Sequence, residues 1–346
     1  MAAVASPAGG GGESMGSGAG GTRMVAAGAG SGAAGGGAGK SENESAGAMA
    51  TASGGRGTGM QGMSAAGRPN APPVAGMPAT AGMPPAAGGS GATPAGPATP
   101  SSGCGTMADL PNGSQTIDVD GMQRQYIVKT PADYDRNKPY RLVFAWHGLG
   151  GTAMQIASNF YGLVSRSANT TIFIAPQGLP NPQQNNFAAW ANTKDGDITF
   201  IRKLIDWAKT TYCIDEKRIF SIGMSNGGMF ANVVGCELGD TFRATAAMSG
   251  GGPQGYATKP CTGKLAVWIS HGNKDDNVPF SYGQKSRDYW VKANHCGSET
   301  MTVMPGNCLE YQGCDEGYPV QFCEFDGGHM VPSFAGESAW NFFSRF

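Results

Sequence analysis

Gly223-Met224-Ser225-Asn226-Gly227 sets a serine inside a Gly-x-Ser-x-Gly pattern. That is the spacing of a sharp turn presenting a serine hydroxyl between a strand and a helix. A serine alcohol is a poor nucleophile near neutral pH. It needs a base to take its proton, and the base needs an acid to orient it. The chain has four histidines, His147, His271, His295 and His329. His329 follows the last expected strand on a Gly-Gly loop and is the candidate base. His147 and His271 directly follow strands and read as hydrogen-bonded loop residues; His295, beside Cys296 at a helix end, reads as structural. Asp275 and Asp276 are both candidate acids, and spacing does not choose between them. Acyl transfer also needs N–H donors for the developing oxyanion. Asn226 supplies one, and the His147-Gly148-Leu149-Gly150-Gly151 loop supplies a second from Leu149 or Gly148. The same loop could instead cradle a phosphate, but it lacks the Gly-Lys-Ser/Thr ending of a P-loop.

The pattern alone does not decide, because Gly12-Glu13-Ser14-Met15-Gly16 matches it equally well. The surroundings separate the two. Arg218-Ile219-Phe220-Ser221-Ile222 predicts a short buried strand before Ser225, and the apolar run from Gly228 to Cys236 predicts a helix after it. Around Ser14 stand only Gly, Ala and Ser, with a single Glu and Met. Elsewhere, strands are predicted at 116–119 and 125–128, flanking an Asp120-Gly121 hairpin turn, and at 141–146, 171–174, 244–248, 265–269 and 320–325. Helices are predicted over 153–165, over 198–210 with Asp197 as N-cap, over 281–293, and from about Gly336. Strands alternating with helices imply a mostly parallel sheet covered on both faces. The Gly-rich and polar segments cluster after the C-terminal ends of strands, the edge where such sheets build their sites.

The 346 residues divide by composition. Residues 1–102 contain no Leu, Ile, Phe, Tyr or Trp and are expected to form a disordered Gly/Ala/Pro-rich tether, unable to bury enough apolar surface to offset ordering entropy. Residues 103–346 are expected to form one α/β catalytic domain. A net charge of −1 leaves no footprint for nucleic acid or an anionic membrane, and no run is long and apolar enough to span a bilayer. All eight cysteines lie beyond residue 103 and none forms Cys-x-x-Cys, so no metal or other cofactor is expected and disulfides in an exported protein are. Residues 1–30 hold no apolar h-region of a signal peptide; export would use a start upstream or another route. Oligomeric state is not readable.

The chain resembles secreted feruloyl esterases and the wider polyhydroxybutyrate depolymerase-like esterases of the α/β-hydrolase fold. The resemblance rests on Cys104-Gly105, residues 126–135, Lys138 to Leu142, His147 to Gly151, Ala175 to Gly178, Asp197 to Phe200, Cys213 to Asp215, Gly223 to Gly228, and 311–329. It covers 103–346 and none of 1–102. The order Ser225, Asp275, His329 is that of α/β-hydrolases. The resemblance implies Ser225 as nucleophile and His329 as base. It also implies Asp275 as acid, because His271-Gly272-Asn273-Lys274-Asp275 matches a family pattern; Asp276 stands where that pattern often has Pro. Cys308 and Cys323 look additional to it and are expected to pair with each other. Trp190 is a candidate for stacking on a sugar or an aromatic acyl group, with a core or loop anchor as the plainer reading. The expected reaction is hydrolysis of carboxylic esters through an acyl-enzyme, releasing ferulate or related hydroxycinnamates from cell-wall polysaccharide. The alternatives are a polyhydroxyalkanoate depolymerase, an acetylxylan esterase, and a non-enzymatic hydrolase-like binding protein. The expected location is secreted or tethered at the cell surface.

Overall fold

A computed structural model describes residues 96–107 and 109–346. The Ser14 match and the tether expected over the N-terminal segment, up to residue 95, lie outside the described residues.

The strands are β1 (Gly113–Val119), β2 (Met122–Lys129), β3 (Tyr140–Trp146), β4 (Thr171–Pro176), β5 (Leu179–Asn181), β6 (Phe187–Ala189), β7 (Ile214–Met224), β8 (Ala244–Met248), β9 (Ala266–Gly272), β10 (Thr300–Val303), β11 (Cys308–Tyr311) and β12 (Val320–Phe325). The α-helices are α1 (Ala153–Ala157), α2 (Gly196–Thr211), α3 (Asn226–Glu237), α4 (Phe280–Ala293) and α5 (Ala335–Phe343). Ten strands form one sheet in the order β1-β2-β4-β3-β7-β8-β9-β12-β11-β10. The run from β4 to β12 is parallel throughout, and antiparallel pairs extend it at both ends. This is the α/β-hydrolase architecture expected from the sequence.

Both faces of the sheet are buried, and β3 shows why its sequence is a continuous apolar run. Leu142, Phe144 and Trp146 point into the core under α2 and α3, while Val143 and Ala145 point into the core under α1 and α5. In β9, Val267 and Ile269 pack against Trp290 of α4, and Ala266 and Trp268 face α5. Helices α2, α3 and α4 therefore cover one face and α1 and α5 the other. The Asp120-Gly121 turn has φ of 55° and 85°, the left-handed pair that a tight two-residue hairpin requires.

Three expectations are corrected. The helix expected over 153–165 stops at Ala157, after a capping box between Thr152 and Gln155. Positive φ at Phe160 and Tyr161 breaks it, and the Tyr161 hydroxyl donates to the Trp146 carbonyl at 2.6 Å. Asp197 does not cap α2. It lies in the first turn, its carboxylate buried against Arg124 at 2.8 Å and accepting from the Asn192 N–H; Asn192 Oδ1 instead accepts from the Ile198 N–H. Hydrogen bonding into the domain also begins before residue 103. The Thr99 N–H donates to Asp215, and buried Ser101 bonds to Tyr212 and Ile214.

The eight cysteines pair as Cys104–Cys213, Cys236–Cys261, Cys296–Cys314 and Cys308–Cys323. The last joins β11 to β12, as expected. Among the described residues no helix is long and apolar enough to cross a membrane.

Candidate active site

Ser225 stands between β7 and α3 with φ 59° and ψ −124°, a strained conformation for a residue with a side chain. Its surroundings impose that conformation. A Cβ on Gly223 would collide with the Gly227 carbonyl, and a Cβ on Gly227 with the carbonyls of Trp146 and His147. Two hydrogen bonds then lock the turn. The Ser225 N–H donates to Met248 O at 2.8 Å, and the Met229 N–H donates to Ser225 O at 2.9 Å.

His329 reaches this serine from the loop after β12. Its Nε2 is 2.8 Å from Ser225 Oγ, and its Nδ1 is 2.8 Å from Asp275 Oδ2. The loops carrying the two residues are laced together. Asn273 N–H donates to Phe325 O, and Lys274 N–H to Gly327 O; Gly272 packs so tightly on Gly327 and Gly328 that no side chain fits. Asp275 Oδ1 accepts from the backbone N–H groups of Asn277 and Val278 at 3.0 and 2.8 Å. Burial pushes the Asp275 carboxyl up, but the bonds from Val278, His329 and Asn277 outweigh it and hold the group below the usual carboxylate range. Asp275 is therefore charged near neutral pH, and it is buried. Asp276, its neighbour, is exposed. The structure thus joins His329 to Asp275 and leaves Asp276 in solvent.

His271 and His147 are fully buried supports. Burial pushes both imidazoles down, so both are neutral. His271 Nε2 donates to Val278 O at 2.8 Å, holding the segment that hydrogen-bonds Asp275. His147 Nε2 accepts the Gly178 N–H at 2.9 Å, which leaves Nδ1 to donate to Gly148 O at 2.8 Å. That bond sets the Gly148–Leu149 loop beside the serine: a Cβ built on Gly148 lies 3.5 Å from Ser225 Cβ. The N–H of Asn226 belongs to the first turn of α3, where backbone donors have no intrahelical partner. His295 is exposed and paired with Asp315 at 2.9 Å, not with any of these groups.

Trp190 is not an open stacking platform. It is 5% exposed, stacked on Phe230 with ring centroids 4.8 Å apart. Its indole N–H donates to His147 O, and its backbone N–H donates to Asn226 Oδ1 at 2.7 Å. The tryptophan anchors the floor of the site. The exposed apolar groups around the serine are others. Leu149 is 44% exposed and Phe187 52%; Phe187 closes on Gly150 at 3.4 Å from its built Cβ. Met330 and Val331, directly after His329, are exposed as well. Phe187 carried a signal in the sequence, as a lone aromatic after Gln183-Gln184-Asn185-Asn186. Among the described residues no cluster of three His, Cys, Asp or Glu is placed to hold a metal.

The family profile described as Phospholipase/Carboxylesterase matches residues 133–311. The chain belongs to that family. It is a carboxylic ester hydrolase of the feruloyl esterase-like branch of α/β-hydrolases. It is 33% identical over 274 residues to feruloyl esterase D of Neurospora crassa, covering 71% of this chain and 90% of that one. It is 32% identical over 262 residues to the probable feruloyl esterase C of Aspergillus niger, covering 70% and 90%. Among solved structures, the acetyl xylan esterase from Aspergillus awamori superposes with a TM-score of 0.55 at 16% identity, covering 68% of this chain and all of that one. At that identity the likeness speaks for the fold alone.

Proposed function

We propose that this esterase releases ferulate or related hydroxycinnamates from plant cell-wall polysaccharide through an acyl-enzyme on Ser225. The observation that carries the reading is the unbroken line of hydrogen bonds from Ser225 Oγ through His329 to buried Asp275, 2.8 Å at each step. In this scheme His329 Nε2 takes the serine proton as Oγ bonds to the ester carbon. The Asn226 N–H and a second from Leu149 or Gly148 hold the oxyanion. His329 then returns the proton to the departing sugar alcohol. A water attacks the acyl-enzyme with the same help, regenerating Ser225. Asp275 keeps Nδ1 protonated and balances the imidazolium charge.

The substrate class is supported by the names of the relatives and by the exposed apolar groups Leu149, Phe187, Met330 and Val331, which suit an aromatic acyl chain better than acetate. In the same scheme the catalytic domain runs from about Thr99, whose N–H donates to Asp215 of β7, to Phe346, and the segment before it is a tether. Four disulfides favour an oxidising compartment, consistent with secretion or display at the cell surface. Comparing methyl ferulate, acetylated xylan and a short hydroxybutyrate oligomer tests the substrate class. The highest kcat/KM is expected on methyl ferulate; a preference for either of the others would reassign it.

A further inference from the structure

A second aromatic feature lies outside the serine site. A cleft of about 890 Å³ opens between the loop after β8 and the outer face of α4. Two tyrosines form its walls, Tyr256 and Tyr282, each 38% exposed. Gly251 stands between them: a Cβ built there would wedge 3.0 Å from the Tyr256 ring and 3.2 Å from the Tyr282 ring. The glycine thus lets both rings pack down against the loop backbone, side by side at the cleft. Lys285, Asp288 and Lys292 continue the cleft along α4. Tyr282 to Lys292 spans ten residues of helix, about 15 Å at the helical rise. The Lys285 ammonium lies over the Tyr282 ring at 5.5 Å. Such a surface offers apolar ring faces interleaved with hydrogen-bond donors and acceptors, the pairing a sugar chain requires, since each ring presents both C–H faces and hydroxyl edges.

The cleft is built into the scaffold that holds the nucleophile. Gly250 packs against the backbone of Gly228 and Met229, and Gly252 against Ser286 of α4. Buried Asn232 of α3 donates to Gly251 O at 2.7 Å and accepts the Trp290 indole N–H at 2.8 Å. The loop is therefore pinned to α3 on one side and α4 on the other. Helix α4 begins five residues after Asp275, so the Tyr282 end of the cleft is the end nearer the serine. We propose that the Tyr256–Tyr282 cleft binds the glycan chain bearing the ester, while the acyl group lies against Leu149 and Phe187. This assignment rests on the cell-wall esterase reading above for its choice of ligand.

Two measurements with the full chain test it. In the first, an ester-free arabinoxylan oligosaccharide is titrated calorimetrically into the wild-type protein and into Tyr256→Ala/Tyr282→Ala. Binding to the wild type and roughly tenfold weaker binding to the variant are expected, the loss typical of truncating an aromatic anchor. No binding to the wild type, or equal binding to both, overturns the assignment whatever the esterase chemistry. In the second, kcat/KM is measured on methyl ferulate and on a feruloylated arabinoxylan oligosaccharide. The variant should lose about tenfold on the oligosaccharide and keep its rate on the methyl ester. Equal losses on both would indicate a structural role for the tyrosines and refute the cleft. A change from dimer to monomer in the variant would make it an interface between copies, which also refutes it. If oligosaccharide binds as expected but no feruloyl ester is cleaved, the cleft stands and the proposed substrate falls.

Discussion

Replacing Asp275 with Asn gives the most specific prediction, because the structure dictates how the amide must sit. Asp275 Oδ1 accepts two backbone N–H groups, from Asn277 and Val278. An asparagine in this position must keep its carbonyl oxygen there, since an NH2 group facing two donors would leave all three unpaired. Its NH2 group is then forced to the position of Oδ2, 2.8 Å from His329 Nδ1. The amide donates to Nδ1, so the ring carries its proton on Nε2, facing Ser225. In that tautomer His329 cannot take the serine proton. The same change in a triad of this type costs about 10⁴ in kcat, equivalent to about 5.5 kcal/mol of barrier. A fall of that order in kcat on methyl ferulate is expected, with KM within about threefold because no contact to the ester is removed. Asp276→Asn, altering an exposed carboxylate, should leave kcat within about twofold. Steady-state kinetics on the purified variants, with near-ultraviolet dichroism to confirm folding, make the comparison. A loss under tenfold at Asp275, or a larger loss at Asp276, would refute the reasoning.

Three further outcomes follow from the same geometry. Stability should fall as pH drops below about 6.5, because burial lowers the pKa of both His147 and His271. The unfolded chain then binds protons that the folded one resists, so ΔG of unfolding declines from the unfolded histidine value down towards the folded ones. A second decline belongs to Asp275, whose lowered pKa gives stability present above the unfolded carboxylate value and lost as pH falls through the folded one; urea midpoints from pH 8 to 3 that stay flat would contradict both. Phe187→Ala should raise KM for methyl ferulate about tenfold and leave a small acetate ester unchanged, since truncation removes up to about 2–3 kcal/mol of apolar contact available only to the larger acyl group; equal effects on both esters would remove Phe187 from the acyl site. Cys104→Ser/Cys213→Ser opens a loop with a sequence separation of 109 and should cost about 4–5 kcal/mol in a denaturant titration, whereas a loss below about 1 kcal/mol would show that hydrogen bonds from residues 99–101 already hold that segment.

Much of the site was legible because its signals are local. Ser225 could be singled out from Ser14 by the buried strand before it and the helix after it, both of which form. The ends of the parallel strands marked where the other groups lie. Asp275 and Asp276 could not be separated by spacing, because what distinguishes them is burial and a pair of backbone N–H donors two and three residues on. Trp190 kept two readings for a related reason: an aromatic beside a polar loop looks the same in sequence whether it faces a ligand or, as its burial against Phe230 has it, anchors the core. The short helix at 153–157 escaped because its break rests on positive φ at Phe160 and Tyr161, residue types that carry no turn signal. Strands β10 and β11, four residues each at the sheet edge, and the three-residue β5–β6 hairpin that carries Phe187 are too short to display a period.

The central claim is that Ser225 is acylated during turnover. Rapid acid quench of the full chain with a feruloyl ester, followed by peptide mass spectrometry, tests it most directly. A peptide containing Ser225 should carry one added feruloyl group at early times, and Ser225→Ala should neither carry it nor hydrolyse the ester. An acyl group on another residue, or hydrolysis that survives in Ser225→Ala, would contradict the account.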